Sequence, residues 1–113
     1  MKIDYVVRWT VNGEIKESDR LGTAEEAWKV IKSRSVTESP DISIIVSDKS
    51  LGAELDIVVA TMYTVVWTEV ANYPTIRDLS EIKDAIFSLI QANPKASVLG
   101  NSDSLGIYDC PLE

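Results

Sequence analysis

The 113-residue chain has no histidine and a single cysteine. Without imidazole, the commonest general base, the usual metal ligand and every Ser-His-Asp or Cys-His arrangement are excluded. Cys110 has no partner for an internal disulfide, and one thiol without histidine leaves no recognisable structural zinc site. No lysine or arginine lies within ten positions of Cys110, so nothing in the adjacent sequence activates its thiol. A phosphate-cradling glycine-rich loop and a dinucleotide fingerprint are both missing. The sequence also lacks internal repeats and low-complexity tracts. Its most apolar run is broken by Glu54, Asp56 and Glu69, whereas a membrane-spanning helix needs about 20 predominantly apolar residues. Met1–Tyr5 alternates without a continuous apolar core, so no signal peptide is expected. With one cysteine, the expected location is cytoplasmic. No cofactor or metal is expected.

Positive charge is scarce in two places. The chain carries 18 acids and 11 bases, a net charge of −7. Residues 1–49 hold nine acids and eight bases, and residues 77–95 hold three of each. Residues 50–76 carry Glu54, Asp56 and Glu69 with no base, and residues 96–113 carry Asp103, Asp109 and Glu113 with no base. Nucleic acids and anionic membranes both select basic patches, so neither is an expected partner. A protein with a basic surface is compatible. So is the plainer reading that moderate negative charge keeps a small domain soluble.

What the chain does have is a β-branched centre. Between Leu51 and Val70, Ile57, Val58, Val59, Thr61, Thr64, Val65, Val66 and Thr68 lose side-chain freedom in a helix and fit a pleated surface. Two strands are expected, Glu54–Ala60 and Tyr63–Val70, with one long bent strand as the alternative. Upstream, Ile3, Tyr5, Val7, Trp9 and Val11 alternate with Asp4, Val6, Arg8 and Thr10. Asn12-Gly13 then signals a two-residue hairpin turn. That turn predicts Arg8 opposite Glu17 and Trp9 opposite Lys16, in a returning edge strand Glu14–Leu21.

Thr23-x-x-Glu26 is a capping box opening a helix whose apolar stripe is Ala24, Ala27, Trp28 and Ile31, with Trp28 as its anchor. Ser33–Asp41 reads as a loop. Ile42–Ser47 is a buried strand expected to pair with the first central strand. Asp78-x-x-Glu81 opens a second helix with Leu79, Ile82, Ile86, Leu89 and Ile90 on one face, ending near Asn93 because Pro94 cannot continue it. Ala96–Leu99 and Leu105–Cys110 are further strand candidates. The order ββαβββαβ predicts one α+β domain over residues 1–111: a mainly antiparallel sheet of five to seven strands with both helices on one face. Leu112-Glu113 reads as a cloning remnant.

Glu54 and Asp56 lie two apart on a strand, so they share a face and, with Glu69, suggest a carboxylate cluster. A solvated strand face is the commoner meaning of that spacing. Tyr63, Trp67 and Tyr73 are the aromatic candidates for a contact surface, although core packing is the ordinary role of such residues. Asn101 and Asp103 sit in a turn cluster that can present polar contacts. No catalytic set is identified.

The segments V-R-W-T-V-N-G, G-T-A-E-E-A-W, I-S-I-I-V, L-D-I-V-V and Y-T-V-V-W occur in an order that resembles immunity proteins of bacterial polymorphic-toxin systems. The first-numbered immunity family is the nearest in layout. The later I-K-D-A-I-F-S-L-I-Q-A-N-P-K-A-S-V-L echoes its helix, proline and short strand. The chain departs in having almost nothing between Val70 and Leu79, where that family has more strand, and no functional residue carries across. The resemblance implies an intracellular protein that binds and blocks a toxin. The leading expectation is therefore an acidic binding module acting through Glu54, Asp56, Tyr63, Trp67, Glu69, Tyr73, Asn101 and Asp103 on a basic protein. The alternatives are a small-molecule-binding or enzymatic domain, with a pocket between sheet and helices lined by Tyr63, Trp67, Trp28 and Glu54 or Asp56, and a homodimer.

Overall fold

The computed structural model describes residues 2–47, 52, 54–62, 64–67, 80–95 and 97–100. Strand β1 (Lys2–Val11) turns at Asn12 and Gly13, whose φ angles of 51° and 80° are those a type I′ turn demands. It returns as β2 (Glu14–Glu17), with Arg8 opposite Glu17 and Trp9 opposite Lys16 as the turn predicts. β2 stops short of the expected Leu21. Ser18 interrupts the ladder: its hydroxyl accepts from the Val7 amide at 3.0 Å, and its own amide donates to the Val7 carbonyl. Pairing resumes only as a single bridge between Tyr5 and Leu21.

Helix α1 (Ala24–Lys32) starts where expected, but the cap is half of the predicted box. The Thr23 oxygen accepts from the Glu26 amide at 3.3 Å, while its hydroxyl donates to the Glu26 carboxylate at 3.0 Å. Acids in the first turn and lysines in the last complement the helix dipole. The expected loop Ser33–Asp41 contains a 3-10 turn, Val36–Glu38, closed by its own capping box from Ser35 to Glu38. Asp41 belongs to the next strand, β3 (Asp41–Ser47).

The central run is extended chain. β3 pairs with β4 (Leu55–Thr61), which pairs with β5 (Thr64–Trp67), both antiparallel. The expected strand Tyr63–Val70 thus contains β5, and its remaining residues lie outside those described, as do Asp78, Leu79 and the candidate strand Leu105–Cys110. Helix α2 (Ser80–Ala92) leads to β6 (Ser97–Gly100). β6 runs parallel to β5, because an intervening helix carries the chain back before the next strand begins. Among the described residues the sheet has six strands in the order β2-β1-β3-β4-β5-β6.

Both helices pack on one face. There Tyr5, Val7, Ile42, Ile44, Val46, Ile57, Val59 and Val65 meet Trp28 and Ile31 of α1 and Ile82, Ile86, Leu89 and Ile90 of α2 in one core. Hydrogen bonds fix the helices to this core at two points. The Tyr5 hydroxyl donates to the Ala85 carbonyl, and Trp28 Nε1 donates to the Leu89 carbonyl, both at 2.8 Å. Among the described residues no helix is long and apolar enough to cross a membrane.

Candidate functional site

Strand alternation sends the other set of side chains to the opposite face, which carries no helix among the described residues. Register places Asp4, Val6 and Arg8 of β1 beside Ile45, Ser43 and Asp41 of β3, and Ser43 and Ile45 beside Val58 and Asp56 of β4. This face is organised by two arginines. Arg8 donates Nε to Glu17 at 2.8 Å, Nη1 to Ser43 and Asp56 at 3.2 and 2.9 Å, and Nη2 to Asp56 at 2.6 Å. Its side chain crosses β3 to join β1, β2 and β4. Arg20 makes a two-pronged bond to Glu54, at 2.6 and 2.7 Å, and Ser47 donates to the same carboxylate at 2.8 Å. Lys2 and Arg20 each approach Asp4 at 3.9 Å. Val6 and Ile45 point to this face yet are only 2% and 5% exposed. A long arginine laid across a sheet can cover apolar neighbours with its stem while its head keeps polar contacts.

The Arg20 hydrogen bonds, and after them the Ser47 hydroxyl, hold the Glu54 carboxyl well below its ordinary 4.5, at about 2. A carboxyl depressed in the folded state stabilises the protein above its unfolded pKa, and that contribution fades as pH falls toward the folded value. Glu54→Gln is therefore expected to flatten the decline in urea stability between about pH 5 and pH 2. An unchanged slope in that interval would show that the pair exerts no such linkage.

The ladder slips between β3 and β4. Ile42 faces Ala60 but Ser43 faces Val58, so Val59 is an extra residue and both Val59 and Ala60 are buried. Such bulges bend a strand and re-aim its side chains. Beside the bulge lies a groove of about 350 Å³ lined by Val36, Pro40, Asp41, Val58, Met62 and neighbouring Ser and Thr residues. Val36 and Val58 are 63% and 44% exposed, two of the three exposed large apolar side chains among the described residues. Asp41 Oδ1 is buried without a hydrogen-bond partner, and burial pushes this carboxyl up against the opposing pull of Arg8.

Of the residues expected to form a contact surface, Glu54 and Asp56 do share a face, but each is paired to an arginine instead of standing as a bare acid. Among the described residues no group of three acids or other ligating side chains could hold a metal ion. Glu69, Tyr73, Asn101, Asp103 and Tyr63 lie outside the described residues, and of Trp67 only the β5 backbone is described. Of the expected pocket lined by Tyr63, Trp67 and Trp28 with Glu54 or Asp56, the described residues do not come together. Trp28 is buried on the helix side, while both carboxylates project from the opposite side of the sheet. A different cleft, about 310 Å³, opens on the helix side between the start of α1 and the end of α2, lined by Tyr5, Thr23, Glu25, Ser88 and Gln91 among others. Burial raises the Tyr5 phenol to about 12, and its proton is already donated to the Ala85 carbonyl.

Arg8, Arg20, Asp41, Val36 and Val58 were not legible as site residues. The only sequence signal was the alternation that set Arg8 off the apolar stripe of β1. No protein-family model matches this chain, and neither the curated proteins nor the solved structures contain a match.

Proposed function

We propose that this chain is a small protein-binding module whose contact surface is the helix-free face of the sheet, and that it acts as an inhibitor or immunity protein toward a partner with a basic surface. The observation that carries this reading is the state of that face. Arg8, Arg20 and their carboxylates are already locked by two-pronged bonds across several strands, so little side-chain entropy remains to be lost on association. Among the described residues three cations, Lys2, Arg8 and Arg20, meet five carboxylates, Asp4, Glu17, Asp41, Glu54 and Asp56, a negative balance. The resemblance of the chain's layout to toxin-immunity proteins points the same way.

A photo-crosslinking residue at Thr10, exposed on this face, is expected to trap a discrete partner in cells, while one at Asp84 on the outer surface of α2 traps none. The purified pair is expected to associate with an on-rate that falls as salt rises. Equal labelling from both positions, or salt-insensitive association, would remove the basis for the reading. The cleft at Tyr5 supports the second reading, a small-molecule site, in which case saturable ligand shifts would appear at Ser88 and Gln91.

A further inference from the structure

The groove beside the Val59 bulge adjoins the ion-paired face but is not explained by it. Its apolar wall residues Val36 and Val58 stand open to solvent beside Ser39, Thr61 and Thr64. Asp41 is one of the residues lining it, and among the described residues its Oδ1 has no hydrogen-bond partner. An unmet buried acceptor costs stability, and a carboxylate left in that state calls for a reason such as a donor that arrives from outside the protein. The neighbouring charge has a definite sign. Arg8 is the cation near Asp41, and its nitrogens are occupied by Glu17, Asp56 and Ser43. One positive charge therefore serves three carboxylates.

We infer that this groove receives a single lysine or arginine side chain from the partner protein, with its aliphatic stem along Val36, Pro40, Val58 and Met62 and its cationic head at Asp41. Side chains of this kind lie along apolar surface while keeping the charged tip in polar contact. A free small amine is the poorer occupant, because small-molecule sites enclose most of their ligand and these walls do not. The inference rests on the proposed protein-binding role and names the anchor that role would use.

The probes are Nα-acetyl-lysine N-methylamide and its uncharged counterpart, Nα-acetyl-norleucine N-methylamide, followed by methyl NMR at Val36, Val58 and Met62. The lysine probe is expected to give saturable shifts in the millimolar range. Binding about ten-fold weaker is expected for norleucine, and for the lysine probe on Asp41→Asn, from the loss of a charge-assisted hydrogen bond. Asp41→Asn is a safe variant for this purpose. Burial raises the Asp41 carboxyl, so its ionisation opposes folding and removing the charge does not destabilise the protein at neutral pH. Equal binding by norleucine, unchanged affinity on Asp41→Asn, or no lysine binding at all would each overturn the inference. Concentration-dependent methyl shifts without any probe would place a second copy of the chain in the groove and overturn it too. If the lysine probe fails while Thr10 still captures a partner, the groove assignment falls and the protein-binding role stands.

Discussion

Trp28→Ala is expected to lower the stability of this protein by roughly 4 kcal/mol, within the range typical of removing a large buried side chain. The indole is 2% exposed and lies where α1, α2 and the sheet meet. Its Nε1 donates to the Leu89 carbonyl, which also accepts from the Asn93 amide at 3.2 Å. Trp28 thus grips the last turn of α2, the helix that delivers the chain to β6. A chain of this length has a total stability of roughly 5–15 kcal/mol, so the variant would fold with little margin. The melting temperature is expected to fall on the order of 20 °C, read by circular dichroism. Trp28→Phe separates packing from hydrogen bonding. Because the Leu89 carbonyl keeps its Asn93 donor, losing the indole N–H alone is expected to cost about 1 kcal/mol, and the rest of the deficit reports lost volume. A Trp28→Ala protein melting within a few degrees of the parent would mean that the interface between the helices does not depend on this residue.

The same tryptophan marks how far local pattern reaches. Its helical stripe, the Asn12-Gly13 turn and the resulting pairing of Arg8 with Glu17 are properties of residues close together in sequence, and steric rules suffice to read them. The extended centre is legible for a similar reason, since stiff β-branched side chains disfavour its coiling. Strand order is a different kind of fact. That β1 lies between β2 and β3 depends on α1 crossing over the sheet, and no periodicity records it. Arg8 meets Asp56 across 48 residues, and Arg20 meets Glu54 across 34. Local composition therefore made residues 50–76 look like an uncompensated acidic segment, whereas folding brings in arginines from the first 20 residues. The Val59 bulge carries no glycine to announce it, and the early end of β2 rests on one serine hydroxyl. The groove depends on the bulge and on a 3-10 turn that the polar stretch Ser33–Asp41 does not announce, so local pattern does not reveal it.

Arg8→Ala is the variant expected to disturb the helix-free face most. Two of the carboxylates it serves, Glu17 and Asp56, are about half exposed, so their ion pairs count as partly screened surface interactions. The loss does not end there. The Ser43 side chain is fully buried and loses its guanidinium donor. The side chain that reaches across β3 disappears, and Glu17, Asp41 and Asp56 lose the cation they share. Together these effects are expected to cost about 2 kcal/mol at neutral pH, measured by urea unfolding. The deficit is expected to shrink toward about pH 2, because protonation removes the negative charge that the guanidinium offsets. What survives in acid reports the lost stem and the Ser43 contact. Arg8→Lys retains the charge but not the fork that holds Asp56 through two nitrogens while reaching Glu17 through a third, so an intermediate loss is expected. If Lys restored full stability, charge alone would account for the residue and the ordered geometry of the face would be incidental. If Ala had no effect at either pH, the arginine would be an ornament on a sheet that the helix-side core already fixes, and the helix-free face would lose its claim to be a preformed contact surface.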